Sequence, residues 1–303
     1  MKTRKVLQCG LAFVLVMLLT AISAAAPTLT FKFSKVNVPR ALETLTGGVN
    51  NAGVTVGEFV DKVGGLHGYI LNAAGTKFTK LDDPKAVSFT AASNLNPGTP
   101  TMVVGSYGKN AQGTSVGFLY KGGKYTDILG PKGAINSAAY GINDSGAIVG
   151  DYTDATGVTH GFLLKKGKYT TLDAPGAVGL TVASGINSAG AIVLWYFKDS
   201  SGDSGSAMTT NNGKTYKKLA VPGAGPAGDA AEDINGANDV CFVYFDPAGR
   251  YHAALLHGGK YYKFNPFKSA ESTASGLNDK MTVAGIWSVK TNGLLQGYKG
   301  VYH

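Results

Sequence analysis

The chain has 303 residues, with 28 lysines and arginines against 19 aspartates and glutamates, a formal charge of +9 and 44% apolar residues. That is enough apolar material for a packed core, while 43 glycines and 11 prolines punctuate it too densely for long helices. The lysines are scattered through turns such as Lys121-Gly122-Gly123-Lys124 and Lys165-Lys166-Gly167-Lys168, which argues against one basic patch and so against a nucleic-acid partner.

Lys2, Arg4 and Lys5 precede an apolar run from Val6 to Ile22 and the small residues Ser23-Ala24-Ala25-Ala26. These are the three regions of a signal peptide over residues 1–26, and they predict a secreted product, extracellular or periplasmic. Removing the leader lowers the charge from +9 to +6. Cys9 lies at the front of the apolar run, badly placed for lipid attachment. No later segment is apolar enough to span a bilayer, so the mature chain is expected to carry no membrane span and to be a monomer. Of the two cysteines only Cys241 then remains, inside Val240-Cys241-Phe242-Val243-Tyr244. It reads as a small buried apolar side chain.

Next comes Phe33-Ser34-Lys35-Val36-Asn37-Val38-Pro39, an isolated strand-like segment that matches Tyr169-Thr170-Thr171-Leu172-Asp173-Ala174-Pro175 position for position. After it an asparagine recurs at Asn50, Asn96, Asn143, Asn187, Asn235 and Asn278, with spacings of 46, 47, 44, 48 and 43 residues. Such a period signals a solenoid or a propeller. In the third copy the short runs Ala147-Ile148-Val149, Phe162-Leu163-Leu164, Tyr169-Thr170-Thr171-Leu172 and Leu180-Thr181-Val182-Ala183-Ser184 predict four strands per repeat, the propeller pattern. The last copy stops at Gln296-Gly297-Tyr298-Lys299-Gly300-Val301-Tyr302-His303, before an outer strand. The expectation is therefore an all-β, six-bladed β-propeller of four-stranded blades over residues 27–303, closed by the N-terminal strand completing the last blade. Closure would hide a sheet edge that an open array exposes.

The turn after each asparagine has its own chemistry. In Asn143-Asp144-Ser145-Gly146 the short polar side chains can bond the local backbone and Gly146 can take positive φ. Gly53 and Gly190 match it, and Asn238 is the next best residue. Lys280-Met281 breaks the rule and predicts a different turn. The asparagine itself reads as a structural bracket.

With the repeat written out, Gly141 to Gly150, His160-Gly161-Phe162 and His67-Gly68-Tyr69, and Tyr169 to Pro175 together resemble the bacterial extracellular repeat family named for its His-Ala-Phe tripeptide. The resemblance covers nearly the whole mature chain and implies an extracellular β-repeat protein without a defined activity. Val116-Gly117-Phe118, Ser206-Ala207-Met208 and Gln296-Gly297-Tyr298 lack the histidine, and Leu194 and Phe242 replace the second-strand glycine.

Three sets of residues could carry chemistry. Each second strand ends on an aromatic: Phe59, Tyr107, Tyr152, Tyr196, Tyr244 and Trp287. They would either line one mouth as a stacking platform or pack between blades, as a strictly repeated residue does. Histidines recur in alternate copies at His67, His160 and His252, on separate sheets and so out of reach of one metal ion. Acidic residues follow the second strand, among them Glu58, Asp151, Asp154, Asp199 and Asp203. Loop carboxylates in pairs suit glycoside hydrolysis or calcium, although Asp beside Gly and Ser is also ordinary turn composition. No cofactor is otherwise expected, calcium being the one ion these loops would suit.

Two strings mislead. Gly223-Ala224-Gly225-Pro226-Ala227-Gly228 spells a dinucleotide-binding fingerprint without the strand-to-helix setting. Gly202-Asp203-Ser204-Gly205 looks like the nucleophile segment of trypsin-like proteases, without a partnered histidine. The even quality of the repeats favours an exported, non-enzymatic binding or scaffold module for cell-surface polysaccharide or cell-envelope protein. An extracellular polysaccharide hydrolase or lyase using Glu58, Asp151 and Asp154 is the alternative, and a spacer or surface-layer component is a third.

Overall fold

A computed structural model describes residues 29–303; the signal segment expected at residues 1–26 lies outside the described residues. Strands and one 3-10 turn, Pro266–Lys268, make up the regular structure, arranged as six antiparallel sheets in a ring, a six-bladed β-propeller. The first five blades span residues 43–81, 90–128, 136–172, 181–219 and 229–264, each with four strands in chain order from the axis outward. In blade six the inner strand is broken into Glu271–Ser272 and Gly276–Leu277, followed by Thr282–Ser288 and Gln296–Tyr302. Phe31–Val36 pairs antiparallel with Gln296–Tyr302, from Phe31 opposite Tyr302 to Val36 opposite Gly297.

The repeat packs by one exchange of volume. At the middle of the second strand Gly57, Gly105, Gly150 and Gly285 sit opposite Tyr69, Phe118, Phe162 and Tyr298 of the third strand. A Cβ on Gly105 or Gly150 would come within 2.0 Å of an inner-strand carbonyl oxygen and 2.9 Å of the facing ring. Blades four and five put the bulk on the other strand. Leu194 faces Ala207 and Phe242 faces Ala254, so the departures from the repeat conserve volume, the kind of swap a packed core tolerates. Leu194 and Phe242 are both fully buried, as are the four third-strand rings of the other blades.

The recurring asparagines join the blades. Oδ1 of Asn143 accepts the backbone N–H groups of Ser145 and Ala147, and Oδ1 of Asn278 those of Lys280 and Thr282. The Nδ2 groups reach the next blade. Asn143 donates to the Asn187 carbonyl at 3.0 Å, Asn187 to that of Asn235 at 2.9 Å, Asn235 to that of Asn278 at 3.3 Å, and Asn278 to that of Asn50 at 2.8 Å. The last of these ties blade six to blade one. Asn96 departs, donating instead to Oδ1 of Asp144 at 2.7 Å. The different turn expected at Lys280-Met281 is not found. Met281 takes φ 58°, the conformation of Gly146 at φ 76° and Asn238 at φ 63°, because the Asn278 bracket and the bond from Met281 N–H to the Asn278 carbonyl hold it there.

Candidate functional site

The six second-strand aromatics are not brought together. Phe59, Tyr107, Tyr196, Tyr244 and Trp287 are buried, Tyr152 is partly so, and each packs in a different apolar cluster. Asp154, Asp199 and Asp203 lie in the turns between second and third strands. Oδ1 of Asp154 accepts from Thr156 and Val158, which with the Thr156 hydroxyl bond holds its carboxyl down at about 2. Asp199 accepts from Ser201 and Asp203 N–H groups in the same way. The alternate histidines brace such turns: Nε2 of His67, His160 and His252 meets Asp61, Asp154 and Asp246 at 3.2, 3.3 and 3.1 Å. Ser204 donates to the Ala227 carbonyl, and the 223–228 segment is a loop between blades.

Glu58 and Asp151 behave differently. Both lie within second strands rather than in loops, and both approach the axis, where Tyr140 and Glu232 join them. Tyr140 and Glu232 escaped the sequence reading, and the reason is structural. Three residues before each anchor the inner strand skips one position of its ladder, at Gly47, Ser93, Tyr140, Ser184 and Glu232 in blades one to five. A bulge leaves that residue unpaired and re-aims its side chain. Here it faces the axis. Counting Ser275 in blade six, four copies carry Gly or Ser at this position, and the two large side chains, Tyr140 and Glu232, are the only sequence signal.

One step further along, the axis is plugged. Gly48 and Gly185 leave space that Asn94 and Asp233, from opposite blades, fill; a Cβ on Gly48 would fall 2.2 Å from Oδ1 of Asn94 and one on Gly185 2.9 Å from Oδ1 of Asp233. Asp233 is fixed by the N–H groups of Ile234 and Leu277, both at 2.9 Å, and Asn94 reaches it across the axis. The result is a cup with a floor, about 350 Å³ in volume, walled by Glu58, Tyr140, Trp195, Glu232 and Ile286 and lined by no Lys, Arg or His. Its mouth lies at the start of the inner strands. Antiparallel pairing puts the turns between second and third strands on that same face, together with the loops between blades. Exposed Val63, Val87, Leu129, Val289 and Leu294 all sit there, Val63 at 91%.

Electrostatics distinguish this cup from the rest of the molecule. Burial lifts Glu58, lifts Asp151 to about 7 against the pull of the neighbouring Tyr140 hydroxyl, and lifts Glu232 to about 7 with help from the Asp233 charge. Burial likewise lifts Asp233, to about 6, although its hydrogen bonds pull the other way. Tyr140 is raised by burial and by the charges of Asp151, Glu232 and Glu58. These wall side chains keep partial exposure because the cup is open, yet protein surrounds them on nearly every side, and no cation offsets them. Among the described residues no three His, Cys, Asp or Glu side chains converge as ligands for a metal ion, and no helix is long and apolar enough to cross a membrane.

No protein-family model matches the sequence, and no curated protein matches it. Solved structures do share the architecture. One described as a TolB from Agrobacterium tumefaciens is 15% identical at a TM-score of 0.58, covering 91% of this chain and 98% of its own. AofleA from Arthrobotrys oligospora is 11% identical at 0.54, covering 93% and 90%. The six-bladed fucose-recognising fungal lectin of Aleuria aurantia is 10% identical at 0.45, covering 78% and 78%. At such identities the likeness is one of fold alone, and a fold hosts many functions.

Proposed function

We propose that this chain is an exported, non-enzymatic binding module that grips a polysaccharide of the cell surface through its axial cup. One observation carries the reading: a floored cavity whose wall combines carboxyl groups free to accept sugar hydroxyls with Tyr140 and Trp195 rings on which a sugar face can stack, the combination of a largely apolar pocket with a few placed polar groups that small-ligand sites use. The leader-like N-terminus supports export. The apolar loop tips around the mouth supply a surface for the rest of the polymer. The test is retention on a glycan array and on immobilised envelope polysaccharides, with Trp195→Ala as control. The parent should be retained and the variant lose at least tenfold in affinity; a parent that passes through every surface overturns the reading.

A second reading has its own support. Of Glu58, Asp151 and Asp154, the carboxylates considered for hydrolysis, Glu58 lines the cup and Asp151 lies beside its wall residue Tyr140, and a carboxyl raised to about 7 suits a general acid. Release of reducing ends from a polysaccharide, lost in Asp151→Asn, would establish it in place of simple binding.

A further inference from the structure

Enclosed carboxyl groups elsewhere in this protein are partnered. Asp229 accepts from the Ser206 hydroxyl and Val221 N–H, Asp239 from Asn235 and His257, and Asp233 from two backbone N–H groups. In the cup the pattern stops. Nothing but burial acts on Glu58, nothing but burial and the Asp233 charge on Glu232, and Asp151 has only the Tyr140 hydroxyl. Two acceptors, Glu58 and Glu232, held at the wall of a cavity without a donor or counter-charge are costly unless something enters to pair with them. A neutral sugar would satisfy them in part. An anion would be repelled, and a single metal ion finds no three ligands close enough together. A cation fits, and Trp195 and Tyr140 in the same wall favour one with an adjoining apolar face, since an aromatic ring attracts both.

We infer that the cup seats an amino sugar, its ammonium group against the unpaired wall carboxyls Glu232 and Glu58 and its ring against Trp195. This rests on the binding-module reading and narrows the polysaccharide to one bearing free amines. The titratable groups that line the cup are Glu58, Tyr140 and Glu232, with Asp151 bonded to Tyr140 behind them and Asp233 held by backbone N–H groups below, and Glu58 and Glu232 must ionise to pair with the ligand. Below pH 7, binding therefore releases protons and affinity falls as pH is lowered; above the amine's own pKa it falls again. A neutral ligand has no such profile.

The experiment is calorimetric titration with glucosamine oligomers, N-acetylglucosamine oligomers, glucose oligomers and a lysine-bearing peptide, from pH 5 to pH 9. The glucosamine oligomers should bind at least tenfold more tightly than the acetylated and neutral ones, with affinity highest between pH 7 and pH 8 and proton release at pH 6. Glu232→Gln and Glu58→Gln should each cost about tenfold in glucosamine affinity while remaining folded by thermal denaturation. Equal binding of acetylated and free-amine oligomers, with no pH profile, would overturn the amine but leave the polysaccharide module standing. Binding of the peptide alone would overturn the sugar. Failure of every oligomer here and on the glycan array would overturn both.

Discussion

At the scale of single residues, Glu232 shows what a buried carboxyl without a partner costs the fold. Its ordinary pKa near 4.3 in an unfolded chain rises to about 7 in the fold because burial disfavours its charge. Between those values the native state holds the proton more tightly than the unfolded one, so stability falls as pH rises from about 4 to about 7. A full shift is worth about 1.4 kcal/mol per unit, and water in the open cup screens part of it, leaving about 1–2 kcal/mol. Glu232→Gln keeps the shape without the charge. Its melting temperature should therefore exceed the parent's by about 2–4 °C at pH 8, the gap closing towards pH 4. Thermal scans at the two pH values check this, and a variant less stable than the parent at pH 8 would show that the carboxylate has a partner after all. The site hides from the sequence at the same scale. Tyr140 and Glu232 stand in no motif, and only the skipped ladder position in an inner strand, a property of register, turns them to the axis.

At the scale of elements, the repeat was legible because each strand is bounded by its own Gly, Asn, Asp or Pro, and because the anchor recurs with nearly constant spacing. Turn chemistry was legible as far as Gly146 and Asn238. It failed at Met281, where hydrogen bonds from Asn278 impose a conformation that the side chain alone disfavours. The glycine departures Leu194 and Phe242 looked like defects in one strand and resolve only when Ala207 and Ala254 are seen opposite. The strand Phe31–Val36 tests element packing directly. Phe33 is partly buried and meets Tyr298 at 5.6 Å, Phe264 at 6.0 Å and Phe267 at 6.0 Å between ring centroids. Phe33→Ala should cost about 2 kcal/mol, less than the 3–5 typical of a fully buried ring, and lower the melting temperature by about 4 °C. Ligand affinity should not change, since an outer strand stands away from the axis. An unaltered melting temperature would mean that this strand contributes little to blade six.

At the scale of the whole molecule, a ring differs from an open array in having no ends. In a solenoid each repeat leans on its neighbours, and the terminal repeats, with one neighbour each, are the cheapest to disturb. Here the chain's sixth anchor is bonded to its first: Nδ2 of Asn278 reaches the Asn50 carbonyl at 2.8 Å, and beside it Asp279 N–H meets Oδ1 of Asn51 at 2.9 Å. A blade in mid-chain makes the equivalent link, with Asn187 donating to the Asn235 carbonyl at 2.9 Å and accepting from Ala191 N–H. Asn187 and Asn278 thus each support a turn and a joint between blades, and each loses about two or three buried hydrogen bonds on truncation, at about 1 kcal/mol apiece. Asn187→Ala and Asn278→Ala should then destabilise equally, by about 2–3 kcal/mol, and both should keep a single unfolding transition in calorimetry. The comparison discriminates because sequence position predicts the opposite. If the joint between blades six and one were loose, Asn278→Ala would be nearly silent while Asn187→Ala was not, and a second, low-temperature transition would report the last blade melting by itself. Equal costs would show that the free energy of each joint is set by its place in the circle rather than by its place in the chain.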